Sequence, residues 1–164
     1  MLTLSRRRAA LLLLAATASG CGFQLRRAPD LPFRSVALVG FNDGHGTARE
    51  LRRAMPAGVA VVDDPRRAEV VLEALADERR RTVSATTAAA QVREVVLVSR
   101  VVYRLSTRAG QPLLGPTEVA LSRPMSYSET AALPKAQEEQ GLWQAMEADI
   151  ALQVLRRLAA TPKA

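Results

Sequence analysis

Residues Arg93 to Thr107 (REVVLVSRVVYRLST) constrain the fold of this chain more than any other stretch. Val95, Leu97, Val101, Tyr103 and Leu105 share one side of an extended backbone, and Glu94, Arg100 and Arg104 share the other. Side chains of a strand alternate between faces, so the run predicts a long strand with one apolar face. That face needs a cover, and the C-terminal part of the chain supplies one. Trp143, Met146, Ile150, Val154 and Leu158 form one continuous stripe on a helix expected from about Lys135 to Leu158. Glu138, Glu139, Glu147 and Asp149 lie in its first half and Arg156-Arg157 in its last turns, which suits the helix dipole. Pro162 closes it.

The other elements are shorter. Arg34 to Phe41 reads as a buried strand, and Asn42-Asp43-Gly44-His45-Gly46 as a turn. Thr47 is placed to cap a helix from about Ala48 to Met55, with Glu50 three residues on as in a capping box. Pro56 and Gly58 end that helix, and Val59 to Val62 is a short strand or extended piece. From Glu69 to Asp77 the chain alternates again: Val70, Leu72, Ala74 and Ala76 on one face, Glu69, Glu73 and Asp77 on the other. Arg79 to Gln91 (RRRTVSATTAAAQ) is polar and small, and is expected to be an exposed connection. Arg108 to Gln111 makes a hairpin turn, and Leu113 to Arg123 returns between Pro112, Pro116 and Pro124. The expected class is α+β, a two-layer sandwich with two helices on one face of a small sheet.

The N-terminus carries a different kind of information. Arg6-Arg7-Arg8, the apolar run Ala9 to Ala18 and the small residues Ala18-Ser19-Gly20 precede Cys21, which is the only cysteine. A basic stretch, a short apolar run and small residues make a secretory signal peptide. A cysteine directly after them makes the cut a lipoprotein cut, although Ala18 stands where leucine is commoner. The apolar run is about ten residues, short of the roughly 20 needed to cross a bilayer. Residues 1–20 are therefore expected to be removed, and Cys21 to carry S-diacylglycerol and an N-acyl chain such as palmitate. Residues 21–33 read as a lipidated linker, 34–160 as the domain and 161–164 as a tail. Gly22, in place of an aspartate, leans toward the outer membrane. Losing residues 1–20 removes three arginines and no acid, which takes the formal charge from +7 to +4. With Cys21 consumed by lipid, packing and not disulfides must hold the domain together.

Few residues suggest chemistry. His45 is the single histidine and sits in a glycine-rich turn with no cysteine partner or triad context. Glu69, Glu73 and Asp77 could hold a cation if they share a face, but such alternation is ordinarily a solvated surface. No glycine loop followed by Lys and Ser/Thr is present to cradle a phosphate. Nothing argues for an enzyme, a cofactor or a metal, and no aromatic-basic platform argues for nucleic acid. Arginine is more promising: Arg79-Arg80-Arg81, Arg93, Arg100 and Arg104 either form a phosphate-binding patch or protect exposed strands.

Three segments resemble the LptE family of lipopolysaccharide-assembly lipoproteins. Cys21-Gly22-Phe23-Gln24-Leu25-Arg26 is similar to the family's lipidated start. The hairpin strands Val95 to Leu105 and Val119 to Arg123 around Gly110 are similar too. The third segment runs from Tyr127 through Ala132-Leu133-Pro134-Lys135 to Glu139, an aromatic strand end, a turn and an acidic helix start; the helix ends in Leu155-Arg156-Arg157-Leu158. The resemblance implies two helices on a four-stranded sheet, and a partner, the outer-membrane β-barrel LptD, whose lumen the protein plugs. It implies lipopolysaccharide binding by basic residues at one tip. Lys135 matches the family's lysine. The family's second basic position falls in the loop Ser84 to Gln91, which has none here, so Arg81 and Arg93 on its flanks are the candidates. Pro134 replaces a helix-compatible residue, and fits the first turn of a helix. The competing expectation is a stand-alone periplasmic lipoprotein that binds an apolar ligand or cell-wall component.

Overall fold

A computed structural model describes residues 30–88 and 91–162. Five strands and two helices follow one another: β1 (Ser35–Val39), α1 (Thr47–Ala54), β2 (Ala60–Val62), β3 (Val70–Thr86), β4 (Val92–Thr107), β5 (Pro112–Ser126) and α2 (Ala132–Leu158). The sheet order is β2-β1-β3-β4-β5. β1 is parallel to both β2 and β3, whereas β3, β4 and β5 form an antiparallel meander. The α+β class is as expected, but the sheet has five strands and not four. The extra one is the short piece after α1, where Ala60, Val61 and Val62 pair with Ser35, Val36 and Ala37. Three residues are too few to announce a strand by alternation; the α1 crossover brings them alongside β1.

β3 departs most from expectation. It continues through Arg79-Arg80-Arg81 to Thr86, where an exposed connection was expected, because β4 supplies a ladder partner over that length. A bulge between Ala74 and Ala76 also shifts its register. Beyond it Asp77 pairs with Val101, Arg79 with Ser99 and Arg81 with Leu97, all inward positions of β4. Asp77 therefore points toward the helices and not with Glu69 and Glu73, and so do Arg79 and Arg81. One extra residue exchanges the two faces of a strand.

β4 follows its alternation: Val95, Leu97, Val101, Tyr103 and Leu105 are fully buried. β5 is an edge strand, which is why it tolerates Pro112, Pro116 and Pro124. α2 starts three residues earlier than expected, with Pro134 in its first turn, where backbone N–H groups lack helical partners anyway. Its stripe packs in two clusters. Ile150, Val154, Leu155 and Leu158 join Phe33, Val36, Val70, Val101 and Tyr103. Trp143 and Met146 join Val95, Leu97 and Met125, one stretch further along the sheet. α1 begins at Thr47, but Thr47 is no cap: its hydroxyl donates to Asp77 Oδ1 (3.3 Å). Gly40 turns the chain out of β1 with φ +75°, and any Cβ there would meet the Ala74 carbonyl.

Candidate functional site

The inward turn of Asp77, Arg79 and Arg81 places a polar ladder between β3 and the helix layer. Asp77 lies at its inner end with a side chain only 2 % exposed. It accepts from the Asn42 backbone N–H (3.2 Å), His45 Nδ1 (3.1 Å) and the Thr47 hydroxyl, so it fixes the loop that launches α1. His45 is thereby a structural partner of Asp77. Among the described residues, no group of three or more His, Cys, Asp or Glu is placed to hold a metal ion.

The next rung is Arg79. It pairs with Glu147 of α2, which is fully buried, and its guanidinium sits 5.2 Å from the centre of the Trp143 ring. Glu147 Oε1 also accepts the Gly46 N–H (2.9 Å), so a carboxylate of one helix serves the start of the other. A Cβ at position 46 would collide with that carboxylate, which is why the residue is glycine. Arg81 donates to Glu139 Oε2 (3.2 Å) and lies 5.1 Å from the Tyr127 ring centre. Trp143 Nε1–H donates to Glu139 Oε1 (3.3 Å). Glu139, Trp143 and Glu147 recur every four residues, so one line along α2 meets Arg81 and Arg79 in turn.

The ladder leads to a tip formed by the β3–β4 turn, the end of β5 and the start of α2. Lys135 Nζ donates to Ser126 Oγ (2.9 Å) and pairs with Glu138 (2.8 Å). The Arg93 carbonyl accepts the Tyr127 N–H (2.8 Å), and its guanidinium donates to Gln91 Oε1 (3.2 Å). Arg93 lines a pocket of about 250 Å³ with Gln91, Val92, Ser128, Glu129 and Thr130. Ser126 to Ser128 thus touches Lys135, Arg81 and Arg93 together, and the three cations named from the sequence share one end of the sheet. Cys21 lies outside the described residues.

Arg100 and Arg104 are on the opposite face. Arg104 pairs with Glu73 (2.7 Å), and Arg100 with Glu118 (2.8 Å) and Glu78 (3.5 Å). The hydrogen bond to Glu118 raises the Arg100 pKa. These are cross-strand pairs that neutralise one another on a solvated face of the interior strand β4, so they neither guard a sheet edge nor form a patch shared with the tip.

No described helix is long and apolar enough to cross a membrane. The architecture, an antiparallel meander extended by a β1–α1–β2 unit and roofed by one long helix, defines a class of small bacterial lipoprotein domains. Lipoprotein B of Nitrosomonas europaea superposes with a TM-score of 0.68 at 28 % identity, covering 85 % of this chain and 91 % of that one. A minor lipoprotein of Acinetobacter baumannii matches at 0.61 and 22 % identity, over 82 % and 98 % of the two chains. Rare lipoprotein B of Shewanella oneidensis gives 0.60 at 21 % identity, over 76 % and 94 %; at that identity these last two speak for the fold alone. No curated protein matches. A family model described as lipopolysaccharide-assembly, LptE, matches residues 33–158. The chain belongs to the LptE family of lipopolysaccharide-assembly proteins.

Proposed function

We propose that this protein is an outer-membrane lipoprotein, anchored through lipid on Cys21, that plugs and supports the LptD β-barrel and binds lipopolysaccharide during its assembly at the cell surface. It acts by binding and not by catalysis. The observation that carries the reading is the tip, where Lys135, Arg81 and Arg93 converge on Ser126 to Ser128 in a chain of this family. Lipid A presents phosphates, and Arg and Lys bind them by charge-assisted hydrogen bonds. Glu138 and Glu139 now hold Lys135 and Arg81, but exposed pairs are worth only about 0–1 kcal/mol. An incoming phosphate can therefore replace a carboxylate at small cost, while Arg93 has no acidic partner among the described residues.

Lys135→Asp combined with Arg81→Asp should weaken lipopolysaccharide binding by about tenfold or more, since each substitution turns an attraction into a repulsion. Wild-type affinity should fall with salt, and the double variant should lose that dependence. Unchanged affinity and salt slope would remove both residues from the site. A tagged wild-type chain should bring down a large outer-membrane barrel in mild detergent; its recovery alone would favour a stand-alone periplasmic lipoprotein.

A further inference from the structure

Among the described residues, most of the cations with no ion pair lie at the other end of the domain. Arg34, Arg66, Arg67 and Arg108 are exposed there and make no salt bridge; at the tip Lys135 and Arg81 are paired and Arg93 is not. The fold gathers these four from three separate segments of the sequence. Arg67 and Arg108 line one open pocket of about 410 Å³ with Ser35 and Glu69. The Arg108 N–H donates to the Glu69 carbonyl (3.1 Å), and the Arg34 N–H donates to Glu69 Oε2 (2.8 Å). Arg66 is held beside them by Asp64, whose carboxylate accepts its backbone N–H (2.9 Å). Glu69 and Asp64 are thus engaged by backbone donors, and neither forms a salt bridge with a guanidinium.

This is also the end at which the chain enters the domain. Leu31 packs on the core and Phe33 is buried in it, directly before Arg34. Only nine residue steps separate Cys21 from Asp30, a reach of at most about 30 Å. A lipid on Cys21 would hold this end, and not the tip, within that distance of the bilayer. Arg26 and Arg27 lie within the same tether.

We infer that, until the domain is seated in the barrel, the Arg34–Arg66–Arg67–Arg108 face docks on the anionic phospholipid headgroups of the membrane that holds the anchor, orienting the domain with its tip away from the bilayer. This rests on the lipidation of Cys21 proposed above. Lipid anchors commonly act together with a basic patch, and each arginine at an anionic surface favours contact about fivefold. Four guanidiniums on a short tether suffice to convert a loosely swinging domain into an oriented one.

The test uses the full lipidated chain reconstituted in vesicles, with a fluorophore on Ala109→Cys, the only free thiol once Cys21 carries lipid. A second sample carries the fluorophore on Thr130→Cys at the tip. Quenching by headgroup-labelled lipid is read in phosphatidylcholine vesicles and in mixed phosphatidylcholine–phosphatidylglycerol vesicles. Docking predicts strong quenching at Ala109 and little at Thr130, in the anionic vesicles only. High salt, or Arg67→Glu with Arg108→Glu, should abolish it, whereas millimolar inorganic phosphate should not. Equal quenching at the two positions, or quenching at Ala109 that ignores anionic lipid, overturns the docking face and leaves the anchor standing. Failure of the chain to attach to either vesicle overturns both.

Discussion

Glu147 shows most plainly how one side chain can hold several parts of this molecule. It is buried, paired with Arg79 of β3 and hydrogen-bonded to the backbone that opens α1. Removing one partner of a buried pair leaves the other charge uncompensated. Glu147→Ala should therefore cost about 3–5 kcal/mol in urea unfolding. Glu147→Gln should cost less, because its amide oxygen can still accept the Gly46 N–H. Tyr103 presents the opposite case. Its ring is fully buried, and its hydroxyl has no hydrogen-bond partner among the described residues. Burial pushes its pKa up, with Arg157 pulling partly back. The folded state thus keeps the phenol proton to higher pH than the unfolded chain, which begins to lose it near pH 10. The contribution is fully present below that pH and falls away as pH rises through the folded value. Tyr103→Phe should leave neutral-pH stability unchanged or higher, and should flatten the alkaline loss in a pH series of unfolding midpoints.

At the scale of elements, α2 carries the packing. Ile150 is fully buried against Val101 and Tyr103, so Ile150→Ala should cost about 2–5 kcal/mol by chemical denaturation. A loss under about 0.5 kcal/mol would mean that the stripe serves a partner interface instead. β4 and α2 were legible in the sequence because each writes a long period, two for the strand and 3.6 for the helix. Trp143 belongs to the same stripe as Ile150 but packs by Val95 and Leu97 and not by Val101 or Tyr103, because periodicity names the face and not the position along it. The second half of β3 was illegible for a physical reason. Its inward residues are Asp77, Arg79 and Arg81, whose partners Glu139, Glu147 and the α1 loop are distant in sequence, so their inward turn leaves no apolar pattern. The bulge that turns them inward has no compositional mark either. At the tip, Arg81 and Arg93 were reached only through the family's loop Ser84 to Gln91, which they flank. Their convergence with Lys135 depends on where β5 ends.

The molecule as a whole is thicker at one end than at the other. β1 pairs with β3 only over Val36–Val39, and the described residues offer no strand beyond that on the outer edge of β3. The half where the described chain begins therefore has both helices and the larger core cluster, while the tip half is a three-stranded meander under α2 alone. Opening free energies follow local burial. Amide exchange should be slowest at Val101 to Leu105 and markedly faster over Val83 to Thr86, where side chains are exposed. Equal protection at both ends would show that the tip is as firmly held as the base.

The covering helix comes after all five described strands in the sequence. Synthesis proceeds from the N-terminus, so the sheet strands emerge before any of α2 exists. During that interval the apolar face of β4 has nothing to lie against, and Gly46 and Arg79 wait for a carboxylate that lies 101 and 68 residues further on, respectively. Packing of the sheet onto its cover is thereby deferred until α2 has been delivered. Until Glu147 arrives, the launch of α1 and the guanidinium of Arg79 both lack the counterpart that locks them to the covering helix.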